Sequence, residues 1–446
     1  MLPFDHETIV AISTPPGTGG LAVVRLSGPH ALETVRRFFS AADKIKPRVA
    51  TFGKLMHPSL SDGEFDDCIV TFFKGPHSVT GEDLVEISIH GGAFLQQKLL
   101  EALLRAPNLR AAGAGEFTFR SFLSGRIDLS KAEAVADIIH AKDAAAHKNA
   151  QHQLQGGLRH LVEKMSEKLI SSLTVLEAEL DFSDQEIDFS PPEALLTPLL
   201  ELTQTTQALL ETYFYGSRLE QGFRVPLIGA PNSGKSSLFN LLLGHERAIV
   251  TSQAGTTRDT IEKTILVAGH SVVLVDTAGL REAQNEAELS GVDRSLNEIE
   301  QADLIIIVQA PDTDPLTEPT LINKPQITVY NKIDLDTTPP AAKDIYLSCA
   351  TGEGLDLLKK KLYSHVINMV NEGVEGVILN NERHRDVFLR FKDQVSVCIA
   401  AIETGLGSEY IASDLRLALD ILGEITGRTT PDDILNRIFS GFCVGK

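Results

Sequence analysis

Gly229-Ala230-Pro231-Asn232-Ser233-Gly234-Lys235-Ser236 fits G-x-x-x-x-G-K-[ST], the pattern of a phosphate-binding loop. Its glycines let backbone N–H groups turn inward around the α- and β-phosphates of a nucleotide. Lys235 then reaches the β- and γ-phosphates, and the Ser236 hydroxyl ligates Mg²⁺. The pattern predicts a strand before it and a helix after it. The apolar run Phe223–Ile228 reads as that strand, and Ser237–Leu243 as that helix. This fixes an α/β nucleotide-binding domain in the middle of the chain and leaves open which nucleotide it holds.

Three further stretches, in order, narrow the choice. Asp276-Thr277-Ala278-Gly279 follows the apolar strand Ser271–Val275, where a Mg²⁺-associated acid belongs, and Gly279 offers a backbone N–H to a γ-phosphate. Asn331-Lys332-Ile333-Asp334 follows the strand Gln326–Tyr330. The Asp334 carboxylate can accept from both N1–H and N2–H of guanine, a pair of donors that adenine lacks. Ser348-Cys349-Ala350 follows another short strand and is placed to back the base. Between the phosphate loop and Asp276 lies Gly255-Thr256-Thr257-Arg258-Asp259, and a threonine there can complete the Mg²⁺ shell when the γ-phosphate is present. Each motif alone is weak; in this order within one domain they specify a GTP-binding switch.

Hydrolysis needs an oriented water. Leu280 stands where many GTPases place a water-orienting glutamine, so another group must serve. Glu282, Glu286 and Glu288 follow closely, though an exposed charged helix has the same composition. Asn232 is the second oddity: its side-chain oxygen can coordinate a cation or brace the loop by a hydrogen bond, and both readings stand.

The chain has 446 residues, room for roughly three domains. It is 43% hydrophobic and 23% charged, ordinary globular material, and its formal charge of −19 disfavours non-specific binding of nucleic acid. No stretch has the length and apolarity of a membrane span and no leader pattern is visible, so a cytoplasmic protein is expected. Cys68, Cys349, Cys398 and Cys443 are scattered, which suits reduced thiols. Up to about residue 120, strand-like and helix-like pieces alternate: Thr8–Ile12, Leu21–Leu26, Cys68–Phe73 and Leu84–Ile89 against helical Ala31–Phe39 and Ala93–Leu104. From about 125 the texture is helical. Leu154, Leu158, Leu161, Met165, Leu169, Leu173, Leu176 and Leu180 form one face of a long helix, and a second spans Leu195–Tyr213. Helical periodicity returns at Arg383–Cys398 and Ile411–Leu422. The expected fold is multidomain α/β: an N-terminal α+β domain over 1–120, an all-α domain over 121–216 and 373–446, and a Ras-like G domain inserted at 217–372.

With these motifs in hand, the chain resembles the MnmE (TrmE) family of tRNA-modification GTPases over nearly its whole length. The resemblance rests on the run from Gly229 to Leu238, on Ile249-Val250-Thr251 through Asp259, and on Asp276 through Glu282. Thr80-Gly81-Glu82-Asp83 with His90-Gly91-Gly92, and Gly115-Glu116-Phe117-Thr118 with Phe122-Leu123, add to it. Most diagnostic is Phe442-Cys443-Val444-Gly445-Lys446, which looks like the family's closing Cys-x-Gly-Lys. The resemblance implies an N-terminal domain that binds 5-formyltetrahydrofolate or a related one-carbon folate, with Arg25, Glu86, Arg126 and Lys446 at the matching positions. It implies a homodimer joined through these domains. It also implies a flavoprotein partner, MnmG, with which an aminomethyl-type group is formed on C5 of the wobble uridine of certain tRNAs. In the G domain it implies a K⁺ site built from Asn232, Thr251, Gln253 and Thr256, Mg²⁺ on Ser236 and Thr257, and Glu288 as the water-orienting group. Ser233, Gly234, Ser237, Ser252, Ala254, Gly255 and Lys332 complete the implied GTP contacts. Cys443 matches the family's tail cysteine, as a thiol nucleophile or a packing group.

The sequence also departs from the family pattern. Arg126 stands where lysine is usual, which keeps the charge and alters the geometry toward a carboxylate. Ala114 replaces a proline, and Cys349-Ala350 replaces the commoner Ala-Lys beside the base. The competing function is a ribosome-assembly or other RNA-gating GTPase switch without modification chemistry. A membrane-remodelling GTPase is disfavoured by the lack of a basic amphipathic helix.

Overall fold

The computed structural model describes residues 7–56, 65–181, 191–245, 248–249, 261–276, 298–313, 324–335, 345–370 and 376–445. The Cα positions group into two compact units: 1–136 with 154–174 and 415–446, and 137–153 with 175–414.

In the first unit, six strands form one sheet: β1 (Thr8–Ile12), β2 (Leu21–Ser27), β3 (Thr51–Leu55), β4 (Asp66–Phe73), β5 (Leu84–His90) and β6 (Leu109–Ala111). Their spatial order is β3-β4-β5-β2-β1-β6, antiparallel except for the parallel β1–β6 pair. The period of two along a strand sorts the residues onto two faces. Val10, Ala22, Val24, Leu26, Val85, Ile87 and Ile89 point to one face and share a core with Leu99 and Leu103 of the helix Ala93–Leu103. Ile9 and Ala11 point to the other face and pack with Ala112 and Phe117. Arg25 lies directly opposite Glu86 in the β2–β5 register, between those inward apolar positions, and so belongs to this second face. The four expected strands are present. β3 and β6 were not anticipated, and the first helix ends at Arg36 rather than Phe39.

The expected single leucine-rich helix is two. Ala144–Leu154 ends and Gly157–Asp181 begins after Gly156, whose φ of 97° lies in the left-handed region that breaks a helix. In the second of these, Leu158, Val162, Met165, Leu169, Ser172 and Leu176 are buried at steps of four and three. Leu161 and Leu173 flank that stripe half-buried.

In the second unit, β7 (Phe223–Gly229), β8 (Ala248–Ile249), β9 (Ile261–Val267), β10 (His270–Asp276), β11 (Ile305–Gln309), β12 (Gln326–Tyr330) and β13 (Ile345–Tyr346) form a sheet ordered β13-β12-β11-β7-β10-β9-β8. β7, β10, β11, β12 and β13 run parallel, β9 runs antiparallel to β10, and β8, antiparallel to β9, returns to the common direction. β7 is flanked by β10 on one side and β11 on the other. Its carboxyl end is therefore the point where the winding changes direction, and there an open α/β sheet leaves a crevice for a ligand. On one face Val225, Leu227, Leu274, Ile306 and Val329 pack with Leu238 and Leu242 from the helix Lys235–His245 and with Leu358 and Leu362 from the helix Leu355–Val370, and on the other Ile228, Ile305 and Ile307 pack with Ile299 and Ala302. The chain enters this sheet from the helix Tyr213–Gln221 and returns beside it, because the Thr212 hydroxyl accepts from the backbone N–H of Leu379 at 2.9 Å. The helices Pro192–Glu211 and Glu382–Glu403 pack along one another in the same unit.

Candidate functional site

The loop Ala230–Gly234 connects β7 to the helix Lys235–His245, as the motif requires. Asn232 takes φ 63°, a left-handed conformation that asparagine tolerates, and its side chain is exposed. Gly234 takes φ 96°, and a Cβ there would stand 2.0 Å from Nδ2 of Asn331, so only glycine fits. Lys235 is 7% exposed, and its ammonium donates to the carbonyl oxygens of Gly229 and Ala230, each at 2.9 Å. Those two bonds hold it across the loop it must serve. Ser233 is fully buried with its Oγ unpartnered, while Ser236 and Ser237 are exposed at the first turn of the helix, whose N–H groups favour an anion. Asp276 ends β10 opposite Leu227 of β7, one strand from the loop, and is 2% exposed.

The base-recognition motif does more than its sequence suggested. Asn331 is buried; its Nδ2 donates to the Ser233 carbonyl at 3.0 Å, and its Oδ1 accepts from the Cys349 backbone N–H at 3.2 Å. One side chain thus ties the phosphate loop to the base-supporting loop. The Ser348 hydroxyl donates to Oδ1 of Asp334 at 2.6 Å and accepts from the Thr351 N–H at 3.2 Å, which orients the carboxylate. Lys332 pairs with Asp312 at 2.7 Å. Burial, opposed by a bond with Asn331, raises the Cys349 thiol to about 11, so this cysteine is a protonated packing group. Ala350 is exposed beside it. The donors, the buried lysine and the oriented carboxylate fit a Mg²⁺-bound guanine nucleotide. The expected contributions of 251–257, of Thr277, Ala278 and Gly279, and of Glu282, Glu286 and Glu288 lie outside the described residues. So does Lys446.

On the N-terminal sheet, Arg25 donates twice to Oε1 of Glu86, from Nε at 3.0 Å and Nη2 at 2.7 Å. The tail comes to the same place. The Gly445 carbonyl accepts from Arg25 Nη1 at 3.5 Å and from Ser13 Oγ at 3.0 Å, Val444 bridges Ala114, and the Cys443 carbonyl accepts from the Gly115 N–H at 3.3 Å. A Cβ at Gly445 would stand 2.3 Å from the Ile12 carbonyl oxygen, so the seat admits only glycine. The Cys443 side chain is exposed. Arg25 and Glu86 are therefore brought together with the tail, and Ser13, for which the sequence carried no signal, joins them. Arg126 donates instead to the Pro76 carbonyl and borders an open cleft of about 500 Å³ on the same unit. The helix Glu116–Leu123 is fastened nearby by charge. Arg120, 4% exposed, bonds Glu82 and Glu116 at 2.9 Å each, and Arg110 bonds Glu116 at 2.7 Å. Burial pushes the Glu116 carboxyl up, but Arg110, the Gly113 N–H and Arg120 outweigh it and hold it below the usual range. A face bearing a paired guanidinium and carboxylate beside a cationic cleft fits a folate: the carboxylate can accept from a pterin N–H edge, and the guanidinium can bind a glutamyl carboxylate.

Among known proteins, a family model described as the MnmE helical domain matches residues 129–443, and one described as the GTP-binding protein TrmE N-terminus matches 8–126. A relative from Geobacter metallireducens, named tRNA modification GTPase MnmE, is 40% identical, covering 99% of this chain and 99% of its own. One of the same name from Syntrophus aciditrophicus is 38% identical with the same coverage. The solved G domain of the T. maritima FeoB iron transporter is 25% identical over 32% of this chain and 98% of that one, with a TM-score of 0.24.

Proposed function

This chain belongs to the MnmE family of tRNA modification GTPases, and from that premise we propose that its GTP hydrolysis drives formation of an aminomethyl-type group on C5 of the wobble uridine of certain tRNAs. The partner is the flavoprotein MnmG, the protein works as a homodimer, and the one-carbon unit comes from a bound tetrahydrofolate. The observation that carries this reading is the docking of the Cys-Val-Gly tail on the Arg25–Glu86 pair. A switch that only gated RNA would have no use for a second, separately built small-molecule site on its N-terminal sheet.

Each group then has a task. Lys235 and the first turn of the helix after it hold the phosphates, Ser236 with Thr257 would hold Mg²⁺, and Asp334 reads guanine. Ser252, Ala254 and Gly255 would add contacts to the nucleotide. Glu288 orients the attacking water in place of the missing glutamine. Asn232, exposed at the loop with Thr251, Gln253 and Thr256 as co-ligands, would hold K⁺, which supplies positive charge where charge develops in the transition state. Arg25, Glu86, Arg126 and Lys446 hold the folate, which supplies the carbon that is transferred.

Two measurements test the scheme. Nucleosides from tRNA of cells lacking the protein, analysed by mass, should lose the C5-modified wobble uridine and regain it on complementation; an unchanged nucleoside profile would leave a GTPase switch without modification chemistry. GTP turnover by the purified protein should rise at least about tenfold when K⁺ replaces Na⁺ at equal ionic strength, the size expected for one well-placed charge. Equal rates in the two salts would remove Asn232 from catalysis.

A further inference from the structure

The sheet face that carries Arg25 and Glu86 continues into the cleft that Arg126 borders. Thr71 of β4 lies opposite Glu86 of β5, and Phe73 lies opposite Leu84. Phe73 is therefore two residues along from Thr71, on the same face, roughly 7 Å further on. Phe73, Val79 and Ile127 give this cleft of about 500 Å³ its apolar walls, and Arg48, His77 and Arg126 stand around it. Among the described residues no aspartate or glutamate lines it, in a chain whose formal charge is −19.

The two guanidiniums are anchored on one turn. Arg48 takes φ 61°, its backbone N–H donates to the Phe72 carbonyl at 2.7 Å, and its Nη2 donates to the His77 carbonyl at 3.3 Å. Arg126 donates to the carbonyl of Pro76, the preceding residue. A guanidinium has five N–H donors, and each of these uses one arm on the turn. The arms that remain suit carboxylates, which a guanidinium binds in a paired fork.

We propose that this cleft extends the folate site, holding the γ-glutamyl chain of a polyglutamylated tetrahydrofolate, with Arg48 and His77 joining Arg126 on the chain's carboxylates. The proposal rests on the folate reading above and adds two residues and a preference to it. Apolar walls behind the cations suit the aromatic amide and methylenes of such a ligand better than the phosphates of an RNA backbone, which need no apolar wall.

The test is calorimetric titration of the full-length protein with mono- and triglutamyl 5-formyltetrahydrofolate. The triglutamyl form should bind at least about tenfold tighter, as one or two added charge-assisted contacts require. That ratio should fall as salt is raised from about 50 to 300 mM. Arg48→Ala should bring the ratio below about threefold, and Arg48→Lys should restore part of it. Equal affinity of the two forms, or an undiminished ratio in Arg48→Ala, overturns the assignment of the cleft while leaving the folate reading intact. Absence of binding by either form overturns both.

Discussion

Asp334→Asn should weaken GTP binding roughly 100- to 1,000-fold and give the protein a measurable affinity for xanthosine triphosphate. The reason lies in two hydrogen bonds already set. Ser348 Oγ takes the Thr351 N–H and so turns its own proton to Asp334 Oδ1 at 2.6 Å. In the asparagine variant that proton still requires an acceptor, so the amide oxygen goes to Ser348 and the NH₂ group faces the base. Guanine presents two donors there, and a donor now meets them. Losing one charged acceptor and leaving a polar group unpaired costs about 3–4 kcal/mol, which is the stated range. Xanthine carries a carbonyl at C2 and accepts from the same NH₂. Competition between the two triphosphates against a fluorescent guanosine diphosphate reads both effects at once. A GTP affinity within tenfold of the parent would mean that Asp334 does not face the base. Asn331 is untouched by this change, so the phosphate loop keeps its tie at Ser233 and the melting temperature should hold.

Much of the G domain was legible because its motifs each specify a local shape. Gly229–Ser236 demanded a strand, a glycine-bearing turn and a helix, and all three are present, with Gly234 at φ 96°. The second task of Asn331 was not legible, since the bond to Ser233 joins residues 98 positions apart and depends on the parallel register of β12, β11 and β7. The N-terminal sheet was half legible. β1, β2, β4 and β5 are apolar and β-branched, whereas β3 carries Gly53 and Lys54 in its five residues and β6 is only three residues long. The leucine face misled because Leu154, Leu158 and Leu161 keep helical steps across Gly156, so periodicity alone could not locate the break. At the second site, the resemblance supplied Arg25 and Glu86, and their cross-strand register explains why they meet. That Gly445 should lie on them, 420 positions from Arg25, has no local signal.

Lys235→Ala should lower kcat/KM for GTP by about 1,000-fold or more, with most of the loss in kcat. The residue is 7% exposed and its ammonium is fixed on the Gly229 and Ala230 carbonyls, so it is preorganised for the phosphates at little entropic cost. A charge so placed interacts more strongly as negative charge develops on the transferring phosphoryl group, which is why kcat falls more than affinity. Alanine also leaves two loop carbonyls without this donor, a cost of about 1–2 kcal/mol that melting curves would register. Lys235→Arg separates the two effects. The guanidinium keeps the charge, but the space between consecutive loop carbonyls is shaped for a compact ammonium, so turnover should still fall about 100-fold while nucleotide binding partly survives. Single-turnover hydrolysis in K⁺, read beside the affinity for guanosine diphosphate, distinguishes the outcomes. Turnover within tenfold of the parent in both variants would place the catalytic charge elsewhere, and the cation proposed at Asn232 would then have to carry the transition state alone.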